Sequence, residues 1–385
     1  MIKKKICVVT GSRAEYDQLF WLLKLLKKDK KIILDLIVSG AHLEKKYGFT
    51  YSKIKEDGFK KNFKIKLFIK GDRASDISDT VSLGIRLFSS RLKKIKPDLV
   101  ILLGDRYEVF SAAIAASFLN IPIAHLNGGE TTVGAFDEWI RHSITKMSSM
   151  HFVANKRYKK RVIQLGENPK RVFNVGGLSS DNVYKTNLIS KSEIEKTCKF
   201  QFKKRNLLIT YHPVTLENNS AKKDFAEILK TIKSQKDTLA IFTFPNSDTN
   251  NKIIIKMIKE FSKNNKNAVF FTSLGRVKYL SILKNCDAII GNSSSGLLEA
   301  PYLDVGTVNI GDRQLGREKT KNIIDCNPIN KEIFKALKKI FTNKNRNKHI
   351  QLKKYYGEGN TAENIYKILK KKVSDIKIKK VFYDL

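Results

Sequence analysis

One pattern constrains this chain more than any other. Short apolar runs rich in β-branched residues ("KICVVTGS", "ILDLIVSGAH", "PDLVILLGDR", "PIAHLNGGE") alternate with longer segments of helical period. Parallel strands need long crossover connections, so this alternation calls for βα units. The strand cores are nearly continuous apolar stretches, as expected where helices cover both faces of a sheet. A second series repeats the architecture without repeating a sequence unit: "NLLITYHP", "LAIFTFPNSD", "AVFFTSLGR", "CDAIIGNSSSG" and "VGTVNIGDRQ". At 385 residues the chain is too long for one ordinary core. The expected fold class is therefore α/β, with two Rossmann-like doubly wound domains and a cleft between them. The boundaries fall at 1–177 and 178–360, with a connector after Gly176-Gly177 running to about Leu188. A terminal helical segment, 361–385, follows; Thr361 and Glu363 suit a helix start.

The formal net charge is +37, from 74 basic and 37 acidic residues. The lysines are spread over almost every segment, with no dense basic arm and no aromatic-basic interleaving. That distribution reads as a solvated surface, with steering of an anionic substrate as a second role, and it argues against nucleic acid. Cys7, Cys198, Cys286 and Cys326 lie far apart and form no C-x-x-C pair, which disfavours a zinc ribbon, a redox motif or a disulfide framework. Cys7 and Cys286 sit in strand-like contexts and read as small buried hydrophobes. The apolar run near the N-terminus is too short for a signal peptide, and no stretch reaches membrane-spanning length. A cytoplasmic protein is the simplest expectation, with no membrane partner.

In open α/β sheets ligands bind beyond the carboxyl ends of the strands. Those ends carry Gly11-Ser12-Arg13, Gly40-Ala41-His42, Gly104-Asp105-Arg106 and Gly128-Gly129-Glu130 in the first series. The second series offers His212-Pro213, Pro245-Asn246, Gly275-Arg276, the run Gly291 to Gly296, and Gly311-Asp312-Arg313. So many charged groups exceed what turns alone require. Neither G-x-G-x-x-G nor a P-loop is present. In "GNSSSGLLEA" a strand runs through Ser293, Ser294, Ser295 and Gly296 into a helix, a natural phosphate seat, although an ordinary serine cap has the same appearance. Glu299 is placed for a ribose diol. Arg13, Arg106 and Arg317 can add charge to a diphosphate.

Asp105 follows an apolar strand, where a carboxylate needs a partner or a task. It suits either a structural ion pair with Arg106 or Arg13, or catalysis. Glu130 follows two glycines that let the backbone approach a ligand. Asp137 and Glu138 open a helix, where acids are favoured in any first turn. Taken together, Asp105, Glu130 and Asp137 suit proton removal and delivery, leaving Glu138 as the helix cap. His212, at a strand end, is placed to bind a phosphate or protonate a leaving group. His125, inside an apolar strand, reads as a core histidine. His42 and Arg141 are further candidate sugar or phosphate contacts. No H-E-x-x-H or H-x-x-E-H spacing supports a metal site, and no cofactor is expected.

The motifs "GSRAEYD", "LLGDRYEVFSAAIAA", "HLNGGETTVGAFDEWIRHSITKM", "YHPVT", "GNSSSGL" and "NIGDRQLGR", with the terminal "FYDL", resemble the hydrolysing UDP-N-acetylglucosamine 2-epimerases of bacterial sialic-acid synthesis. The similarity runs over nearly the whole chain. It implies a GT-B fold whose last helix returns to the first domain, and a homodimer or homotetramer. It also implies catalytic carboxylates at Asp105, Glu130 and Asp137, and UDP contacts at Arg13, His212, Asn246, Ser293, Ser294, Gly296, Glu299 and Arg317. Non-hydrolysing relatives carry "GTRPE" and "GDT" where this chain has Ala14 and Arg106, which favours the hydrolysing branch. The implied reaction converts UDP-N-acetylglucosamine and water to N-acetylmannosamine and UDP through a 2-acetamidoglucal. The segment "GGETTVGAFDE" departs by one extra residue from a pattern in some relatives, which leaves a diacetamido-trideoxy sugar, as in legionaminic-acid synthesis, as an alternative. A GT-B glycosyltransferase and a non-catalytic nucleotide-sugar binder are the remaining alternatives.

Overall fold

The computed structural model describes residues 3–67, 74–216, 220–342, 353 and 355–385. The chain forms two compact units. The first comprises residues 1–130, 136–182 and 356–385, and the second residues 131–135 and 183–355. Thr131–Ala135, the stretch separating Glu130 from Asp137, thus groups with the second unit.

The first unit holds a seven-stranded parallel sheet of β1 (Lys4–Thr10), β2 (Ile32–Ser39), β3 (Phe63–Ile65), β4 (Leu99–Leu103), β5 (Ile123–Leu126), β6 (Met150–Val153) and β7 (Val172–Asn174), in the order 3-2-1-4-5-6-7. The second holds a six-stranded parallel sheet of β8 (Arg205–Thr210), β9 (Thr238–Thr243), β10 (Ala268–Phe271), β11 (Ala288–Gly291), β12 (Gly306–Ile310) and β13 (Ile323–Cys326), in the order 10-9-8-11-12-13. Every strand pair is parallel. Near-continuous apolar strands follow from this layering: Ile6 and Val8 of β1 pack into one buried cluster while Cys7 and Val9 pack into another. Leu207 and Ile209 of β8 are divided from Leu208 in the same way. Strand order reverses between β1 and β4 and again between β8 and β11, which places a switch point at the carboxyl end of each sheet.

Two expectations are corrected. The stretch after Gly177 is not a bare connector but a helix, Leu178–Lys185, whose Ser179, Ser180, Asp181 and Asn182 are all buried. Its buried face is polar because it serves the C-terminal helix. Asp181 accepts hydrogen bonds from the backbone N–H groups of Thr361 (3.2 Å) and Ala362 (2.6 Å), satisfying donors at that helix's start. The C-terminal helix itself spans Thr361–Lys372 rather than running to the end, and Ala362, Ile365 and Leu369 join the core of the first unit. Beyond it a short 3-10 turn, Val373–Asp375, leads into an extended strap. Among the described residues no helix is long and apolar enough to cross a membrane.

Candidate active site

At the end of β4 the chain turns through Gly104 (φ +79°) into Asp105 and Arg106. At the end of β5 it turns through Gly128 and Gly129 into Glu130. Gly129 has φ +76°, and a Cβ there would lie 2.5 Å from the carbonyl oxygen of Tyr158, so glycine is required. His125 of β5 ties the two turns together, donating from Nε2 to the Gly104 carbonyl (2.8 Å) and meeting the Thr145 hydroxyl at Nδ1 (3.1 Å). Burial lowers its pKa to about 3, so the ring is neutral, and the carbonyl partner fixes the proton on Nε2. It is the core histidine its strand position implied, and it positions the turn that carries Asp105.

Arg141, on the helix Asp137–Met147, organises the acids. Only 1% exposed, it bonds the Asp105 carboxylate, the Glu130 backbone carbonyl (3.0 Å) and the Glu138 carboxylate (2.8 Å). Burial opposes its charge, but Asp105, Glu130 and Glu138 outweigh that effect and push its pKa above the ordinary arginine value. Arg141, a candidate substrate contact by sequence, thus has three protein partners in the fold. Glu138 is not the expected cap: it binds Arg141 and His142 (3.2 Å), and the N-cap residue Phe136 makes no side-chain capping bond. Asp137, the first residue of this helix, and Glu130 are 6% and 3% exposed, whereas the Asp105 side chain retains 20% of its exposure. Asp105 is thus the most exposed of the three acids around the buried guanidinium.

Beside them, Ser12 caps the helix Arg13–Lys28, and Arg13 is its first residue. His42 lies fully buried, its Nε2 3.0 Å from the Thr10 hydroxyl and its Nδ1 2.7 Å from that of Thr50. Burial lowers its pKa to about 3, so it carries no charge for a phosphate. Arg106 is 7% exposed and stands 3.7 Å from the Glu108 carboxylate, with its guanidinium 5.1 Å from the Tyr107 ring centroid. Sequence reasoning passed over one residue here. Glu15, 4% exposed, accepts hydrogen bonds from the Gly11 N–H (2.8 Å) and the Ser12 hydroxyl (2.9 Å). Burial, then the charge of Glu108, raises its pKa to about 8. The Ser-x-x-Glu spacing of a capping box was its one visible signal.

In the second unit, His212 follows β8. Its backbone N–H donates to Asn292 Oδ1 (2.7 Å) and its carbonyl accepts from Asn292 Nδ2 (2.8 Å), a two-bond clamp across the switch point. The Asn246 N–H donates to His212 Nδ1 (3.2 Å), which leaves Nε2 as the ring nitrogen that carries a proton. Asp248, 1% exposed, lies 3.9 Å from Nδ1. The Asn292 carbonyl in turn accepts from Arg313 (3.1 Å) and Gln314 (2.8 Å), and Gln314 accepts from Arg317 (2.8 Å). Ser293 and Ser294 follow Asn292 directly, and the Ser295 hydroxyl donates to Glu299 (2.6 Å). His212, Asn246 and Arg317 thus belong to one hydrogen-bonded network centred on Asn292, which sequence reasoning did not single out, with Ser293 and Ser294 next to it in the chain.

The helix expected after "GNSSSG" is a single turn, Ser295–Leu298, because Pro301 lacks the N–H that would continue it, and a 3-10 turn, Ala300–Leu303, follows. Any anion seat here therefore depends on individual hydroxyl and N–H groups more than on a macrodipole. Gly296 serves packing: a Cβ would fall 2.7 Å from Thr307 Cγ2 on β12.

A family model described as UDP-N-acetylglucosamine 2-epimerase matches residues 24–370. The chain is 43% identical over 326 residues to the GDP/UDP-N,N'-diacetylbacillosamine 2-epimerase (hydrolyzing) of Campylobacter jejuni, covering 84% of this chain and 85% of that one. It is 35% identical over 367 residues to the UDP-N,N'-diacetylbacillosamine 2-epimerase (hydrolyzing) of Legionella pneumophila, covering 95% and 96%. The solved UDP-GlcNAc 2-epimerase of Neisseria meningitidis, bound to UDP-GlcNAc, matches with a TM-score of 0.80 at 18% identity over 95% of this chain and 100% of that one. That likeness speaks for the fold alone, two parallel-sheet α/β domains of GT-B type. With the family model spanning most of its length, the chain belongs to the UDP-N-acetylglucosamine 2-epimerase family.

Proposed function

We propose that this protein is a hydrolysing 2-epimerase of a UDP-linked 2-acetamido sugar, and that the sugar is UDP-2,4-diacetamido-2,4,6-trideoxyglucose, UDP-N,N'-diacetylbacillosamine by another name. The observation that carries the reaction class is the Arg141 hub, which gathers Asp105, the Glu130 backbone and Glu138 beside Asp137. The sugar rests on the names of the Campylobacter and Legionella relatives.

The hydrogen on C2 is not beside a carbonyl, so direct abstraction is hard. Breaking the C1–O bond first releases UDP, develops positive charge at C1 and acidifies C2. Asp137 then takes the C2 proton, and the C–H electrons form the C1=C2 bond of a glycal. Water adds its oxygen at C1 and gives up a proton to Asp105, while Glu130 delivers a proton to the opposite face of C2; the protons then held by Asp137 and Asp105 pass to solvent, from which one returns to Glu130. The products are the mannose-configured sugar and UDP. Two faces require two proton-handling groups, and Asp105, fixed by Arg141, positions the water. In the second unit His212, with its Nε2 proton, supports the departing diphosphate; Asn246, Ser293, Ser294 and Arg317 hold UDP, and Glu299 the ribose. Arg13 and Arg106 add charge beside the acids.

A second reading, in which the substrate is UDP-N-acetylglucosamine and the product N-acetylmannosamine for sialic acid, is favoured by the description of the matching family model. Turnover of the two UDP-sugars, compared side by side by kcat/KM, separates them. Preference for the diacetamido sugar supports the first reading, and preference for UDP-N-acetylglucosamine overturns it.

A further inference from the structure

The amino ends of β1, β2 and β3 lie at the opposite edge of the sheet from the acids. There the last turns of the helix Ala74–Ile95 leave an open cavity of about 370 Å³, lined by Lys5, Asp35, Lys61, Phe63, Arg91 and Lys94 among others. Nothing in the proposed epimerase chemistry uses it.

Its composition is not that of a packing defect. Asp35 is only 6% exposed, yet it lines the cavity, and its carboxylate makes no hydrogen bond or ion pair among the described residues. Register explains its place: Asp35 pairs with Cys7 on β1, and the β2–β3 pairing of Ile37 with Phe63 carries Lys61 to the other side of it. Burial raises its pKa, and Lys5 and Lys61 oppose that without reaching ion-pair distance. With its oxygens open to the cavity rather than sealed in the core, Asp35 is available to accept from a donor that enters there. The other groups carry the opposite sign. The Arg91 guanidinium lies 5.0 Å from the Phe63 ring centroid, and Lys61 and Lys94 are exposed.

The site therefore asks for a ligand with two ends, acceptor oxygens for the cations and a donor for Asp35. We propose that this cavity binds a small anion carrying hydroxyl or ammonium donors, with its phosphate or carboxylate on Arg91, Lys61 and Lys94, its donor on Asp35, and its carbon skeleton along Phe63. A sugar phosphate and a sugar acid share that chemistry.

Calorimetric titration of the full chain with glucosamine 6-phosphate, glucuronate and sulfate tests this, with Asp35→Asn and Arg91→Ala as variants and melting curves as the check on folding. At least one sugar anion is expected to bind and to be weakened roughly tenfold by either variant, since each removes a charge-assisted hydrogen bond. Sulfate, which carries no donor, is expected to bind Asp35→Asn at least as well as the parent. The sugar anion that binds identifies the anionic group. Should Asp35→Asn fail to fold, Arg91→Ala alone decides. The proposal is overturned if neither sugar anion binds at millimolar concentration, if binding is unchanged in the variants, or if sulfate alone binds, an adventitious ion only.

Discussion

A guanidinium with 1% exposure stays charged only if almost every donor finds an oxygen, and Arg141 meets that condition with two carboxylates and a backbone carbonyl. Lysine keeps the charge but not the planar fork. Arg141→Lys is therefore expected to lower stability by roughly 1–3 kcal/mol through unsatisfied partners. Displacement of Asp105 should also cut kcat by about 100-fold. UDP affinity, measured by calorimetry, should hold, because its proposed contacts are elsewhere; a loss of UDP binding equal to the loss of kcat would contradict this. Glu15 gives a pH-dependent counterpart. Its folded pKa is about 8 against an ordinary 4.5, so between those values the native state holds a proton that the unfolded chain has released. Stability from this group is complete below 4.5 and falls as pH rises toward 8. Glu15→Gln should flatten that fall in a series of melting curves, and a parallel profile would remove the argument. The acids at the strand ends were legible in the sequence because a carboxylate after an apolar run has few innocent explanations. The hub was not, since an arginine within "EWIRHS" looks like any helix-surface residue until its partners fold around it.

At the scale of elements, backbone geometry sets the limits. Gly291 ends β11 at φ +133°, and a Cβ there would stand 2.0 Å from the Thr210 carbonyl oxygen on β8. Gly291→Ala should destabilise the second unit by about 3 kcal/mol or more, read from chemical unfolding, because both conformation and space oppose it. The C-terminal strap behaves differently. Burial raises the cost of charge on Glu167, yet bonds from His151 (2.9 Å), Lys146 (2.8 Å) and Lys380 (2.7 Å) hold its pKa at about 2. That stability is present above the ordinary 4.5 and is lost as pH falls toward 2. Lys380→Ala should cost about 1.5–3 kcal/mol at neutral pH and bring acid unfolding on at higher pH. An unchanged acid transition would show that the strap does not hold this corner. The strap and the helix Leu178–Lys185 escaped sequence reasoning for one physical reason: each is held by long-range polar bonds, which leave no apolar period in the sequence.

For the molecule as a whole, parallel βα architecture was written in the strands, since apolar runs covered on both faces admit few other solutions. The charge of +37 misdirects if taken alone, because it describes a lysine-rich surface and not the buried acid hub. The choice of sugar was not legible: one extra residue in "GGETTVGAFDE" raised the question, and two relatives carry diacetylbacillosamine in their names. The central claim is that the acids move protons at C2 after UDP leaves. The most direct test is incubation with UDP-2,4-diacetamido-2,4,6-trideoxyglucose in D₂O, followed by NMR of the released sugar. The account predicts free UDP and a mannose-configured product with one deuteron at C2. A product that keeps its original hydrogen at C2, or its original configuration, would contradict it.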